Sequence, residues 1–391
     1  MNADMHGKAV SDKCAVSDSK SGRLGRIIDR SFKKHWREQD IKIYVGQFLR
    51  AELCYANDPG IRQYAASGGT VSTLLIHGLE NRFFDGAVVC QTVIEDGKVR
   101  AHFKIANTAE EVLEARGSKY VETKFLREVL PLVKSFSGRF AVTGLPCDIR
   151  NLSRWVQKYP EIMEKIALKI SLVCGHTSRV ELIDHIVSLL EKEAGQKIKN
   201  YRFRIGHWRG QIEATFADGS SVRKPSSFFN DYQNLFFFCD RKCLACHDHY
   251  GYDADISAGD VWLYGLKNNP IKHTGIIIRN KTGERVFDAA AASGDVITEP
   301  IDIRVIMDGQ SRIGPFHYNS SARAKAGKFL GVKITDSVGE KVSWHSFLSA
   351  FIAILNFKIS QNAVGKKLLF AIPRPLLKGY LYLKKGLESF R

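Results

Sequence analysis

The chain has 391 residues, 44% hydrophobic and 25% charged, a composition that fills a large core and excludes a collagenous or wholly disordered chain. Fifty-eight Lys and Arg against 41 Asp and Glu leave a formal net charge of +17, which favours anionic partners: phosphorylated cofactors, acidic redox proteins, nucleic acid or a membrane surface. A prior of about 100–200 residues per domain suggests about two domains.

Residues 1–40 are polar and weakly periodic, apart from a short helical pattern around Ile27–Trp36, and are expected to form a flexible arm. They contain no apolar run of the kind that directs secretion, so a cytoplasmic location is expected. The folded body is expected to start near Ile41, with a first region over 41–140. In it, Val71, Leu74, Leu75 and Leu79 recur at helical spacing behind Ser67-Gly68-Gly69, predicting a helix over 70–82 with a glycine-rich entry. AVVCQTVI and VRAHFKI flank a turn at Asp96-Gly97 and read as a hairpin. Thr108 with Glu111 forms a capping box for a helix ending near Arg116-Gly117.

A second region, 141–320, alternates in type. Strand RFAVTG (139–144), a helix over about 147–159, strand ALKISLV (167–173) and a helix over about 178–194 make a β-α-β-α pattern, hence parallel strands with a right-handed crossover. YRFRI and IEATFA read as an antiparallel pair. A cysteine-bearing loop over 239–260 follows, then strand TGIIIRN, a turn at Lys281–Gly283 and a helix to about Ala292. Residues 321–391 carry 13 Lys and Arg against 3 acidic residues. Their apolar residues recur at helical spacing among the lysines, giving a basic amphipathic helical tail, read either as helices packed on the domain or as a peripheral membrane or protein docking element. The longest apolar run, 347–357, is well short of the ~20 residues that span a bilayer. The expected fold class is therefore α/β: a mixed sheet with a β-α-β core, an antiparallel strand pair, a cysteine-rich loop and a C-terminal helical tail.

The eight cysteines are too sparse for a secreted disulfide framework. Cys243-Leu-Ala-Cys246 alone fits zinc, a redox pair or an iron–sulfur cluster. Cys147 and Cys174 each follow a predicted strand. In one β-α-β unit both emerge at the carboxyl edge, where open α/β sheets bind ligands, on neighbours about 4.8 Å apart. With Cys243 and Cys246 they make a four-thiolate cage suited to an iron–sulfur cluster; the competing reading is that Cys147 and Cys174 are small buried hydrophobes. Cys239 is an alternative ligand. Cys14, Cys54 and Cys90 read as structural.

The segments YAASGGTVSTLLIHGLENRFFDGAVV, ARGSKYVET, FAVTGLPCDIRNL, SLVCGHTS, YRFR and CDRKCLACHDHYGYDADISAGDVW occur in the order seen in the coenzyme F420 hydrogenase/dehydrogenase beta-subunit family, which the chain resembles over about residues 44–310. The resemblance implies an iron–sulfur flavoprotein oxidoreductase, of a kind that also occurs in polysaccharide gene clusters. It implies a [4Fe-4S] cluster on Cys147, Cys174, Cys243 and Cys246, and FAD contacts from Ser67-Gly68-Gly69, extended here to Thr70, and from Gly117-Ser118-Lys119. The residues agree in type: the glycines permit close approach, and a helix N-terminus attracts a pyrophosphate. Arg204 and Asp260 join the candidate cofactor-binding set, Arg204 for an anionic group and Asp260 within the acidic signature after the cysteine loop. Residues 1–66 hold two cysteines only, so one cluster is expected. Coenzyme F420 or NAD(P)H is the expected co-substrate class, an electron-donor or acceptor protein or small redox molecule the expected partner, and no nucleic acid is expected. His176 is a candidate acid or base that competes with a structural role, and no catalytic residue is assigned. The alternative from another class is a non-enzymatic zinc-binding basic module engaging nucleic acid or an acidic surface.

Overall fold

A computed structural model describes residues 36–311 and 313–389. The expected arm up to residue 35, with Cys14 and most of the Ile27–Trp36 pattern, lies outside the described residues. From Trp36 onward the chain packs: Trp36, Ile41 and Tyr44 are buried around the helix Glu38–Tyr44.

The centre is an eight-stranded mixed sheet in the order β11-β1-β10-β9-β5-β4-β2-β3. The strands are β1 (Arg50–Ala56), β2 (Gly86–Glu95), β3 (Lys98–Ala106), β4 (Phe140–Gly144), β5 (Ile166–Leu172), β9 (Ile256–Asp260), β10 (Thr274–Ile278) and β11 (Val296–Ile301). Strands β2, β4, β5 and β9 run parallel, while the β2–β3, β9–β10, β10–β1 and β1–β11 pairs are antiparallel. A separate antiparallel sheet holds β6 (Ile198–Ile205), β7 (Gln211–Phe216) and β8 (Ser221–Pro225), so the expected strand pair gains a third member. The α/β class and the β-α-β core expected from the sequence are present, and the main sheet runs without interruption across residue 140.

Alternation of buried residues along the strands separates two cores, as period 2 requires. Ala87, Val89, Ala141 and Ile170 face the helices Thr70–Glu80 and Lys281–Ala292 on one side. Val88, Phe140 and Val142 face the helices Phe125–Ser135 and Pro146–Val156 on the other. A third core joins the helix Val180–Ala194 to the small sheet. The tail forms four helices, Ser320–Phe329, Trp344–Ile359, Ala363–Ala371 and Arg374–Ser389. They pack inward through Ala322, Ala326, Ala353, Ile354, Leu369 and Leu377. Among the described residues no single helix is long and apolar enough to cross a membrane.

Several elements differ from expectation. Lys281–Gly283 is the first turn of a helix, not a free turn, because the Asn280 side chain accepts the Gly283 N–H at 3.1 Å and caps it. The helix over 147–159 stops at Val156 and is followed by the short helix Pro160–Met163. Pro131 lies inside Phe125–Ser135 and masks that helix. Strand β9 lies inside what reads as a cysteine loop: it is five residues, with Ser257, Ala258 and Gly259 at its centre, pinned between two neighbours.

Arg279, 8% exposed, fastens β10 to the loops beneath it. Its guanidinium donates to Ser257 Oγ (2.7 Å) and to the carbonyls of Val45 (2.9 Å), Gln47 (3.0 Å) and Tyr250 (3.1 Å). Arg279→Met leaves those acceptors buried without a donor, and is expected to cost about 3 kcal/mol or more. Thermal unfolding should show the melting temperature lowered by roughly 5 °C or more.

Candidate functional site

The strand registers bring the predicted residues to one edge of the sheet. Gly144 at the end of β4 lies opposite Ser171 of β5, and Leu172 lies opposite Ala258 of β9, so Cys147 and Cys174 follow carboxyl ends at the same rim where Asp260 ends β9. Two antiparallel steps then return β1 to the same direction: Thr274 pairs with Asp260, and Cys54 with Thr274. The chain leaving β1 therefore delivers Ser67-Gly68-Gly69 to that rim.

This loop is locked by backbone and short side chains. Ser67 Oγ donates to the His273 carbonyl (2.6 Å), the Gly68 N–H donates to Thr274 Oγ1 (2.9 Å), and the Ala56 N–H donates to the Gly68 carbonyl (2.8 Å). A Cβ on Gly68 would sit 2.7 Å from the Cys54 carbonyl oxygen, and Gly69 adopts φ +86°, a region that L side chains rarely occupy. The helix Thr70–Glu80 starts from Gly69 with no side-chain cap. Thr70 is fully buried and its hydroxyl has no hydrogen-bond partner. An uncapped helix start beside an unpartnered buried hydroxyl fits a phosphate-bearing group.

These residues border a cavity of about 920 Å³, at the upper end of the range for cofactor pockets. Ser67, Gly69 and Thr70 form one part of its wall and Gly117, Ser118 and Lys119 another; Gly68 supports the wall from behind. Arg204 and Asp260 close a third side as a salt bridge of 2.7 Å. Burial works against the Arg204 charge, but Asp260 outweighs it and holds the guanidinium protonated. Arg204 also lies 4.4 Å from the Trp262 ring centroid and donates to the Trp208 carbonyl (2.9 Å). Lys119 is turned onto its own backbone, donating to the carbonyls of Ala115, Arg116 (3.4 Å) and Gly117 (3.0 Å). Burial lowers its pKa to about 8. Cys90, read from the sequence as structural, also lines the cavity.

Cys174 lines the same cavity, and the other thiols stand near it. Burial raises the Cys174 pKa well above the ordinary thiol range, and the charges of Cys243, Cys147 and Cys246 raise it further. Burial and Asp148 do the same at Cys147, and burial with Cys243 raises Cys246 to about 11. Cys243 goes the other way. The Cys239 thiol bonds to it, the Thr177 N–H donates to it (3.5 Å) and Thr177 Oγ1 shares a hydrogen bond with it (3.3 Å), so its pKa is lowered. All four cysteines singled out from the sequence thus share one electrostatic environment, and Cys239 attends Cys243. Four thiolates cannot be buried together without cations. Among the described residues no three Cys, His, Asp or Glu side chains are gathered closely enough for a single metal ion.

Sequence reasoning missed the residues that serve these thiols. Lys242 feels burial first, yet the Cys147 and Asp148 charges outweigh it and raise its pKa. Arg323, 1% exposed and within the tail, donates to the Cys246 carbonyl at 2.5 Å. Thr177 lies within the SLVCGHTS segment, where its neighbour His176 drew attention instead. His176 packs on the Phe236 ring at 4.4 Å between centroids, and its Nε2 has no partner.

Two family models match most of the folded chain. Both describe the coenzyme F420 hydrogenase/dehydrogenase beta subunit: the model of its N-terminal part matches residues 53–130, and the model of its C-terminal part matches residues 137–304. The coenzyme F420 hydrogenase subunit beta of Methanosarcina barkeri is 25% identical over 264 residues, covering 66% of this chain and 84% of that protein. The corresponding protein of Methanococcus voltae is 27% identical over 261 residues, covering 66% and 86%. A chain in the solved F420-reducing [NiFe] hydrogenase complex from Methanosarcina barkeri superposes with a TM-score of 0.57 at 21% identity, covering 75% of this chain and 98% of that one.

Two outcomes follow from this geometry. Gly68→Ala forces the loop away from β1, and is expected to lower the melting temperature, read by thermal unfolding. Burial holds His249 at about 4 and His176 at about 3, against about 6.5 for an unfolded histidine. As pH falls from 6.5 towards 4 the unfolded chain takes up protons that the native histidines refuse, so native stability declines, by about 3 kcal/mol for His249 alone. Melting temperatures measured from pH 7 to 4.5 should fall, and His176→Phe should fall less steeply.

Proposed function

The chain belongs to the coenzyme F420 hydrogenase/dehydrogenase beta-subunit family, and on that premise we propose that it is an iron–sulfur flavoprotein oxidoreductase. In this reading the 920 Å³ cavity holds FAD and Cys147, Cys174, Cys243 and Cys246 hold one [4Fe-4S] cluster. The observation that carries the proposal is the continuity of the two sites: Cys174, whose thiol feels the charges of Cys243, Cys147 and Cys246, is itself part of the cavity wall. When bound, the flavin supplies exchange between hydride and single-electron transfer, and the cluster supplies the single-electron relay.

Each side chain then has a physical task. The start of the helix Thr70–Glu80, with the Thr70 hydroxyl, would hold the cofactor's phosphates, and Gly68 would let the loop lie against the sheet. Cys243, with its lowered pKa, would be the first thiol to ionise and take metal. Lys242 and the buried Arg323 would offset the negative charge of the loaded site. The Arg204–Asp260 pair would keep a fixed, oriented dipole at the cavity wall instead of a free cation. The electron partner is proposed to be a deazaflavin such as the coenzyme F420 named in the relatives, or a nicotinamide, arriving at the cavity mouth.

Anaerobic purification tests this. The expected product carries about four irons and four sulfides with one extractable flavin per chain. Cys174→Ser should lose the iron and its visible absorbance. A colourless protein with a single zinc, unchanged by Cys174→Ser, would overturn the reading.

A further inference from the structure

The large apolar side chains left in solvent are concentrated at the C-terminal end. Of fifteen such residues among those described, nine fall between Phe329 and Leu383, beyond the part of the chain that the family models match. On the helix Ala363–Ala371, Val364 and Leu368 are 70% and 64% exposed, with exposed Lys367 between them at i, i+3 and i+4, so the three share one face. On the helix Arg374–Ser389, Leu376 and Leu383 are 67% and 62% exposed and share a face at i and i+7. The opposite faces are fully committed: Leu369 and Leu377 are buried in the core, Arg374 pairs with Asp231, and Lys384 pairs with Glu388 inside the protein. These helices are held in place and present their other side outward.

The chemistry of that side selects the occupant. On that side Lys367 and Lys378 are exposed, while the one acidic residue of 344–389, Glu388, is buried against Lys384 and Lys385. Lysine is depleted in the cores of protein interfaces, whereas helices lying on a bilayer combine lysines with Leu, Trp and Phe. There the lysine stems cover apolar surface and their ammonium heads reach lipid phosphates. No single described helix is long and apolar enough to span, and the helices Trp344–Ile359 and Ala363–Ala371 are bent by 112° at their junction. We propose that the outer face of the helices 363–371 and 374–389 docks on the surface of an anionic lipid bilayer. Lys378 and Tyr382 of the second helix also line the cavity, so docking would set the cavity mouth beside the membrane. This inference stands on exposure and charge and does not require the cofactor assignment.

The test uses the full chain, purified anaerobically, with sedimenting vesicles of phosphatidylcholine alone or with about 30% phosphatidylglycerol. Partitioning onto the anionic vesicles should be about tenfold stronger and should weaken as salt is raised. Leu368→Glu with Leu376→Glu should reduce it about tenfold, and Lys367→Glu alone roughly five- to tenfold. The Lys367 variant, at an exposed position, keeps the test valid if the double variant unfolds. Equal or absent partitioning on both vesicle types overturns the proposal. So does a homo-oligomer that the double variant dissociates while neither form binds lipid, because a second copy of the chain then covers this face.

Discussion

The parallel pairing of β4, β5 and β9 is the constraint on which the site depends. Parallel neighbours must send their chains out at the same edge, and here the segments that leave β4 and β5 each carry a cysteine within three residues of the strand end. The antiparallel strands β10 and β1 then reverse direction twice, which returns the Ser67–Thr70 loop to the same rim. Strand register thus brings Cys147, Cys174 and the glycine-rich loop to one rim, and the turn Arg241–Ala245 adds Cys243 and Cys246.

That convergence has an electrostatic cost which the rest of the molecule offsets. Thiols 147, 174 and 246 resist ionisation through burial and mutual repulsion. The neighbouring Asp148 adds to the repulsion at Cys147 and is itself pushed up by burial. The compensation comes from three different parts of the chain. Thr177 and Cys239 direct hydrogen bonds at Cys243, Lys242 contributes a cation from the cysteine loop, and Arg323 reaches in from the tail to the Cys246 carbonyl. Arg323 also lies over the Phe316 ring at 3.9 Å, so its charge is held by an aromatic face as well as by carbonyls. The tail is therefore structural as well as basic: one of its helices steadies a cysteine and another borders the cavity.

Much of this was legible along the chain. The β-α-β alternation, the glycine-rich helix entry, the hairpin and the cysteine spacing each depend on residues close in sequence, where period, capping and turn chemistry act directly. Less legible were elements whose identity comes from their neighbours. Strand β11 carries Pro300 and exposed residues because it is an edge, and β1 is buried on both faces and lacks alternation. Lys119 is expected from the sequence among the cofactor contacts, yet it bonds three carbonyls of its own turn. Arg204 reads as an anion site, yet it meets Asp260, 56 residues away.

Residue order alone specified which groups can carry the chemistry: four thiols in three segments, a glycine-rich helix start and a strongly basic end, all set by side-chain type and local spacing. Which of those groups meet, which charges cancel and which apolar residues stay outside were fixed by the folded arrangement. Strand order, register and long-range ion pairs join residues tens to hundreds of positions apart, and no local period records that pairing.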